Sequence, residues 1–208
     1  MTPTRRGVFV TFEGVEGSGK TTLVEMTGKA LSRFQPLIVR EPGGTALGER
    51  LRELVLHTPG PMAAEAELYL FMSARAELIA ERIRPVVEAG GLVIADRYHD
   101  SSRAYQGGGR GVEVEWPAAF PKPDQTFLLA IDPMLGLQRR LGLGPEADRL
   151  ESEPPEFHRA VAAAYDRLAA EEPGRWVRLD GTRPQKALLE DVLAHVEPLL
   201  KEVSRSSW

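Results

Sequence analysis

"VFVTFEGVEGSGKTTL", residues 8–23, decides the fold. An apolar run from Val8 to Phe12 stops at a loop with glycines at 14, 17 and 19, and helical spacing of apolar residues (Leu23, Met26, Ala30, Leu31) begins just after Lys20 and Thr21. The segment from Gly14 to Thr21 matches G-x-x-x-x-G-K-[ST], and it sits between a strand and a helix, where backbone N–H groups at a helix N-terminus hold phosphate oxygens. On this reading Gly14, Val15, Glu16, Gly17, Ser18, Gly19, Lys20, Thr21 and Thr22 surround the phosphates of a nucleotide. Lys20 reaches the β and γ positions, and the Thr21 hydroxyl ligates Mg²⁺. Glu16 is the oddity, a carboxylate inside an anion-binding loop.

Further along, "PLIVR" (36–40), "LVIAD" (92–96), "TFLLAID" (126–132) and "RWVRLD" (175–180) are short apolar runs that alternate with helical patterns. Strands alternating with helices predict one α/β domain over 1–208, with a parallel sheet of about five strands flanked by helices. The helix after the glycine loop is expected over 21–34, and a long helical span over 62–89 bends at Pro85. Several predicted strands end in a charged group: Arg40, Asp96 with Arg97, and Asp132. Ligands bind beyond the carboxyl ends of parallel strands, so these side chains converge on one crevice with the glycine loop. Asp96 suits the acid that holds hydrated magnesium, directly or through water, and Arg97 offers a fixed fork of donors for phosphate oxygens. Arg40, Arg75 and Arg97 favour a phosphate as the acceptor, because a phosphate is already ionised and needs orientation and screening rather than a base.

Composition narrows the partners. The 208 residues carry a net charge of −4, which excludes a broad basic field for nucleic acid or membrane and leaves room for a local anion pocket. There is no cysteine, hence no disulfide framework or thiolate chemistry, which fits a cytoplasmic location. The start "MTPTRRGVFVTFEG" reads as neither signal peptide nor membrane span. His57, His99, His158 and His195 have no ligand spacing, so no protein metal cage is expected.

"FEGVEGSGKTT", "REPGGT" (40–45), "YLFMSARAE" (69–77), "DRYHDSSRAYQGGGR" (96–110), "IDPMLGLQRR" (131–140) and "DRLE" (148–151) resemble, in order and spacing, bacterial thymidylate kinase, a phosphate-loop nucleoside monophosphate kinase family. The resemblance runs from about Val8 to Tyr165 and weakly beyond. It implies transfer of the γ-phosphoryl group of Mg-ATP to dTMP, by positioning and charge stabilisation from Lys20, Arg97 and Arg149. It implies that Phe71 stacks on thymine and that Arg75, on the same helix face, donates to a thymine carbonyl. Ser102, Tyr105 and Gln106 then line the base and sugar, and Arg40 and Arg97 clamp the acceptor phosphate. Glu16 accepts from the 3′-hydroxyl, and "EPGG" makes a rigid turn with a cis bond before Pro42. Residues 142–155 become a lid over the donor, with Arg149 as its arginine, and Arg140 lies against adenine. A homodimer is implied as well. The chain departs from many relatives in reading "LGLG" (141–144) where they carry arginines, and in having Gly17 where the eukaryotic type carries a loop arginine.

Two rivals set the discriminating features. A kinase for another pyrimidine nucleotide or a nucleoside would share the phosphate loop and differ at Phe71 and Arg75. A non-enzymatic nucleotide switch would show a partner-recognition segment and no acceptor pocket.

Overall fold

The computed structural model describes residues 7–142 and 147–205. In chain order it contains β1 (Val8–Glu13), α1 (Lys20–Ala30), β2 (Leu37–Arg40), α2 (Ala46–His57), α3 (Ala64–Leu78), α4 (Arg84–Glu88) and β3 (Leu92–Asp96). There follow α5 (His99–Ser102), β4 (Gln125–Ala130), α6 (Pro133–Leu141), α7 (Pro155–Glu171), β5 (Trp176–Asp180) and α8 (Gln185–Arg205). The strands form one parallel sheet in the order β2-β3-β1-β4-β5. The predicted α/β architecture and five-stranded parallel sheet are therefore what the chain adopts.

β1 is central and buried along its whole length, since β3 and β4 cover its edges and helices cover both faces. Its alternate residues Val8, Val10 and Phe12 face a core made with Leu23 and Val24 of α1 and Leu188, Val192 and Val196 of α8. Phe9 faces the opposite side, packing with Leu78, Ile83, Val93 and Tyr98. A third cluster, around Phe71, Tyr105, Leu128, Val161, Tyr165 and Trp176, lies under the carboxyl end of the sheet and supports the cleft there. This alternation within a two-sided core fixes the register, because a one-residue slip would exchange the two faces.

Two local features differ from the sequence expectation, and a third has no counterpart in it. α1 ends at Ala30 rather than residue 34, and a 3₁₀ turn (Ser32–Phe34) closes it before Gln35 takes φ 49°. The bend expected at Pro85 is taken up one turn earlier by a π segment, Ile79–Ile83, where widened hydrogen bonding accommodates the missing N–H and bulky ring of the proline. The glycine run 107–109 belongs to a second π segment, Arg103–Gly109, that continues α5. A Cβ at Gly108 would stand 2.3 Å from Ala164 Cβ, and one at Gly109 would stand 2.4 Å from the Phe157 ring. The glycines let this segment lie directly on α7.

The segment after β3 is braced from the far edge of the sheet. Arg175, just before β5, grips the fully buried Asp100 with both terminal nitrogens and donates to Thr126 at 2.8 Å, between the rings of Trp116 and Trp176. Arg175→Ala leaves the buried Asp100 with only the 3.3 Å contact to Arg103, and the expected loss is about 3 kcal/mol of unfolding free energy, measured by urea denaturation.

Candidate active site

Every residue of the loop 14–20 is set by the end of β1. Gly14, Gly17 and Gly19 take φ 139°, 64° and 92°, which turn successive amides inward toward the N-terminus of α1. Gly17 has a second reason to be glycine. A Cβ there would lie 1.9 Å from the Gly136 carbonyl oxygen of α6, and a Cβ at Gly136 would lie 2.2 Å from the Glu16 carbonyl oxygen. Loop and helix touch backbone to backbone.

Lys20 is buried and folds back into the loop, donating from Nζ to the Val15 carbonyl at 2.8 Å and to Ser18 Oγ at 3.2 Å. Burial and the charge of Arg97 pull its pKa down from 10.5 to about 8. Thr21 Oγ1 donates to Asp96 Oδ2 at 2.6 Å, so the hydroxyl and the carboxylate predicted to hold Mg²⁺ lie side by side. They are hard oxygen donors, the type a magnesium ion takes with phosphates and water completing its shell. Among the described residues no group of three or more His, Asp or Glu gathers into a metal cluster.

Arg97 is the junction of the site. It holds φ 71°, left-handed for a non-glycine residue, and its N–H donates to the Phe12 carbonyl. Its Nη1 donates to the Gly14 carbonyl, Ser101 Oγ and Tyr165 Oη at 3.1–3.3 Å, and its Nη2 to Glu16 Oε1 at 3.2 Å and Tyr105 Oη at 3.1 Å. Tyr105 Oη also donates to Glu16 Oε1 in a short hydrogen bond. Burial would raise the Glu16 pKa, but the charges of Arg97 and Lys20 and the Tyr105 hydroxyl together hold it below the usual range. The loop carboxylate is thus absorbed by Arg97. Its other oxygen, Oε2, is buried without a hydrogen bond, with His158 Nδ1 3.8 Å away.

A cleft of about 280 Å³ opens beside this junction. Glu16, Gly17, Lys20, Thr21, Asp96 and Arg97 border it on the loop side. Phe71, Ser102, Tyr105 and Gln106 line it as well, as do Arg40, Pro42 and Arg140. The Glu41–Pro42 bond is cis. Most of the predicted set is therefore brought together; of the predicted residues outside the segment 14–22, Arg75 and Arg149 stand apart. Arg75 is 1% exposed beneath the cleft, where its donors are taken by Glu41 Oε2 (2.7 Å), Ser102 Oγ (3.0 Å) and the Tyr98 carbonyl (3.1 Å). Arg149 is engaged by Glu67 Oε2 at 2.6 Å and by the Val55 carbonyl at 2.9 and 3.0 Å. Arg140 donates to Glu151 Oε1 at 2.6 Å. Of the predicted lid, 143–146 lie outside the described residues, and 148–153 pack as a turn on the ends of α2 and α3 through Arg149.

Several residues escaped the sequence reading. Arg52 borders the cleft, half-buried, with Nη1 on the Pro42 carbonyl at 2.9 Å. Glu41 partners Arg75, and burial pushes its carboxyl up to about 7. Glu13 is fully buried at the end of β1. It accepts from the Tyr98 N–H (2.8 Å), Ser101 Oγ (2.6 Å) and Tyr165 Oη (2.8 Å), and burial together with the charge of Asp100 raises it to about 7. Glu67 precedes Phe71 by four residues, as Phe71 precedes Arg75, so helical spacing already put all three on one face of α3.

The geometry joins a phosphate loop to a second cation-rich cleft. Comparison with known proteins gives the same association: the thymidylate kinase family model matches residues 12–192. A thymidylate kinase of Halothermothrix orenii is 42% identical over 206 residues, covering 94% of this chain and 99% of that protein. One from Halorhodospira halophila is 43% identical, covering 95% and 97%. The crystal structure of thymidylate kinase from Ehrlichia chaffeensis superposes with a TM-score of 0.74 at 27% identity, over 92% of this chain and 99% of that one. The chain belongs to the thymidylate kinase family.

Proposed function

We propose that this protein transfers the γ-phosphoryl group of ATP to dTMP, giving dTDP and ADP, in the cytoplasm. The observation that carries the reading is one cleft that runs from the phosphate loop past Arg97 to a second cationic end at Arg40 and Arg52, with Phe71 and Gln106 along it. A second, separately charged anchor is what an acceptor that is itself a phosphate requires. The donor triphosphate lies on Gly14 to Thr22 with Lys20 on its outer phosphates, and Arg140 lies at the adenine end. The acceptor phosphate lies between Arg40, Arg52 and Arg97. Arg97 then faces both anions, and its five neighbours hold it in place before either arrives, so little reorganisation is left for the reaction. Thr21 and Asp96 hold the magnesium ion, which screens the transferring phosphates when bound. Glu16 reads the sugar hydroxyl beside Tyr105, and Phe71 carries the base. Arg149 joins Lys20 and Arg97 at the transferring phosphate when it leaves Glu67. A homodimer accords with the exposure of Leu47 and Leu54, seven residues apart on α2, and of Tyr69 on α3. No helix among the described residues is long and apolar enough to cross a membrane.

A coupled assay of ADP release over dTMP, dUMP, dCMP, dAMP and thymidine is expected to show a clear preference for dTMP, and comparable turnover of dCMP or thymidine would sink the reading. Glu16→Ala is expected to lower kcat/KM for dTMP on the order of 10- to 100-fold while changing the KM for ATP by less than about threefold. The depressed Lys20 pKa gives a pH dependence with a definite sign. Above about 8 the free protein carries neutral Lys20. A bound polyphosphate restores the ammonium, so binding takes up a proton. The apparent affinity for ATP therefore falls as pH rises past 8 toward 10, by at most about tenfold per pH unit. Calorimetry in buffers of different ionisation enthalpy measures the proton taken up; release, or no exchange, contradicts the assignment.

A further inference from the structure

Glu67 is a heavily used acid outside the phosphate loop. It is fully buried on α3. Its Oε1 accepts from Gln106 Nε2 at 2.7 Å and, at a longer 3.4 Å, from Arg110 Nε, and its Oε2 accepts from Arg149 Nη1 at 2.6 Å and Arg110 Nη2 at 3.1 Å. Arg110 is tied in turn to Glu153 at 2.6 Å. Burial by itself would raise the Glu67 pKa, but hydrogen bonds from Gln106, Arg110 and Arg149 outweigh it and hold the carboxyl below the usual range. The group is an anion, and a carboxylate anion only accepts.

A glutamine amide donates through nitrogen and accepts through oxygen, and a half-turn exchanges the two ends at little cost unless a neighbour distinguishes them. Glu67 does so. Were the amide of Gln106 reversed, its oxygen would face Glu67 Oε1 across the same 2.7 Å, two acceptors with no proton between them. The Gln106 oxygen is thus the end left over. It has no hydrogen-bond partner among the described residues, on a side chain that borders the cleft with Phe71 and Ser102.

We propose that Glu67 is a specificity-determining positioning residue: by fixing the Gln106 amide with its carbonyl toward the cleft, it selects a pyrimidine that carries a hydrogen on N3 over one that carries a lone pair there. The inference rests on the reading of the Phe71 end of the cleft as the base site. Thymine and uracil offer N3–H to the carbonyl. Cytosine presents a bare N3, and two lone pairs would oppose each other. Glu67 does not touch the base and acts only through Gln106. The 2.7 Å contact to Gln106 is the one that orients the amide; Arg110 and Arg149 bond Glu67 without touching Gln106.

Glu67→Gln replaces an acceptor-only group with one that can present either end, so the Gln106 amide is free to turn. The ratio of kcat/KM for dTMP to that for dCMP is expected to fall about tenfold or more. Arg110→Gln removes a contact to Glu67 without touching Gln106, and it is expected to leave that ratio within about threefold of the unaltered protein. An unchanged ratio in Glu67→Gln, or an equal fall in Arg110→Gln, overturns the inference. N3-methyl-dTMP supplies a measurement that does not depend on the variant folding. Used by the unaltered protein about tenfold less efficiently than dTMP or worse, it supports the carbonyl orientation, and used equally well it overturns it. An unaltered protein with no preference for dTMP over dCMP overturns both the base-site reading and this inference. A preference that survives Glu67→Gln overturns this inference alone.

Discussion

The guanidinium of Arg97 is the group on which the site depends. It leaves the backbone at the end of β3 in a left-handed conformation that costs of order 1–2 kcal/mol for a residue with a Cβ. The cost is offset by the ring of acceptors around its two terminal nitrogens, supplied by the glycine loop, α5, the π segment after it and α7. Two carboxylates stand behind those acceptors. Glu16 bonds Arg97 directly, and Glu13 takes the protons of Ser101 and Tyr165, which leaves their lone pairs for Arg97. A largely enclosed cation is tolerable in a protein only with such partners, and here the partners also aim it.

The same rule runs through the floor of the cleft. Arg75 is matched by Glu41, Arg149 and Arg110 by Glu67, and Arg175 by Asp100, each around a carboxylate that is itself buried. These pairs contribute little net stability over apolar packing, because desolvation takes back much of the attraction. What they contribute is orientation, since a charged group with one good partner has one good position. The cations that border the cleft and are less completely paired, Arg40 and Arg52, are the ones with room to meet an incoming anion.

Much of this was legible in the sequence, for reasons that differ by element. β1, β3 and β4 read clearly because strands buried on both faces are unbroken apolar runs, and the glycine loop because its backbone conformation admits few other residues. The cleft-lining role of Phe71, Ser102, Tyr105 and Gln106 came through resemblance, since their spacing alone is that of any buried helix face. The partners of the arginines were invisible. Glu41 and Glu67 are brought to Arg75 and Arg149 by tertiary packing across 34 and 82 residues, and no local pattern records which acid a given arginine will find. The helical extension of α5 was hidden by its glycines, which disfavour a helix in isolation and are present because α7 lies against them.

The backbone contact between Gly17 and Gly136 makes the phosphate loop and α6 one mechanical body. Neither position accepts a side chain unless the two segments move apart, so substitutions at 17 and 136 are tied to each other. An arginine at 17, as in the eukaryotic type, is not a point change available to this framework; it calls for a displaced α6. Across a family the two positions should therefore vary as a pair. Where both are glycine, as here, Lys20 is the one cation that residues 14–20 carry.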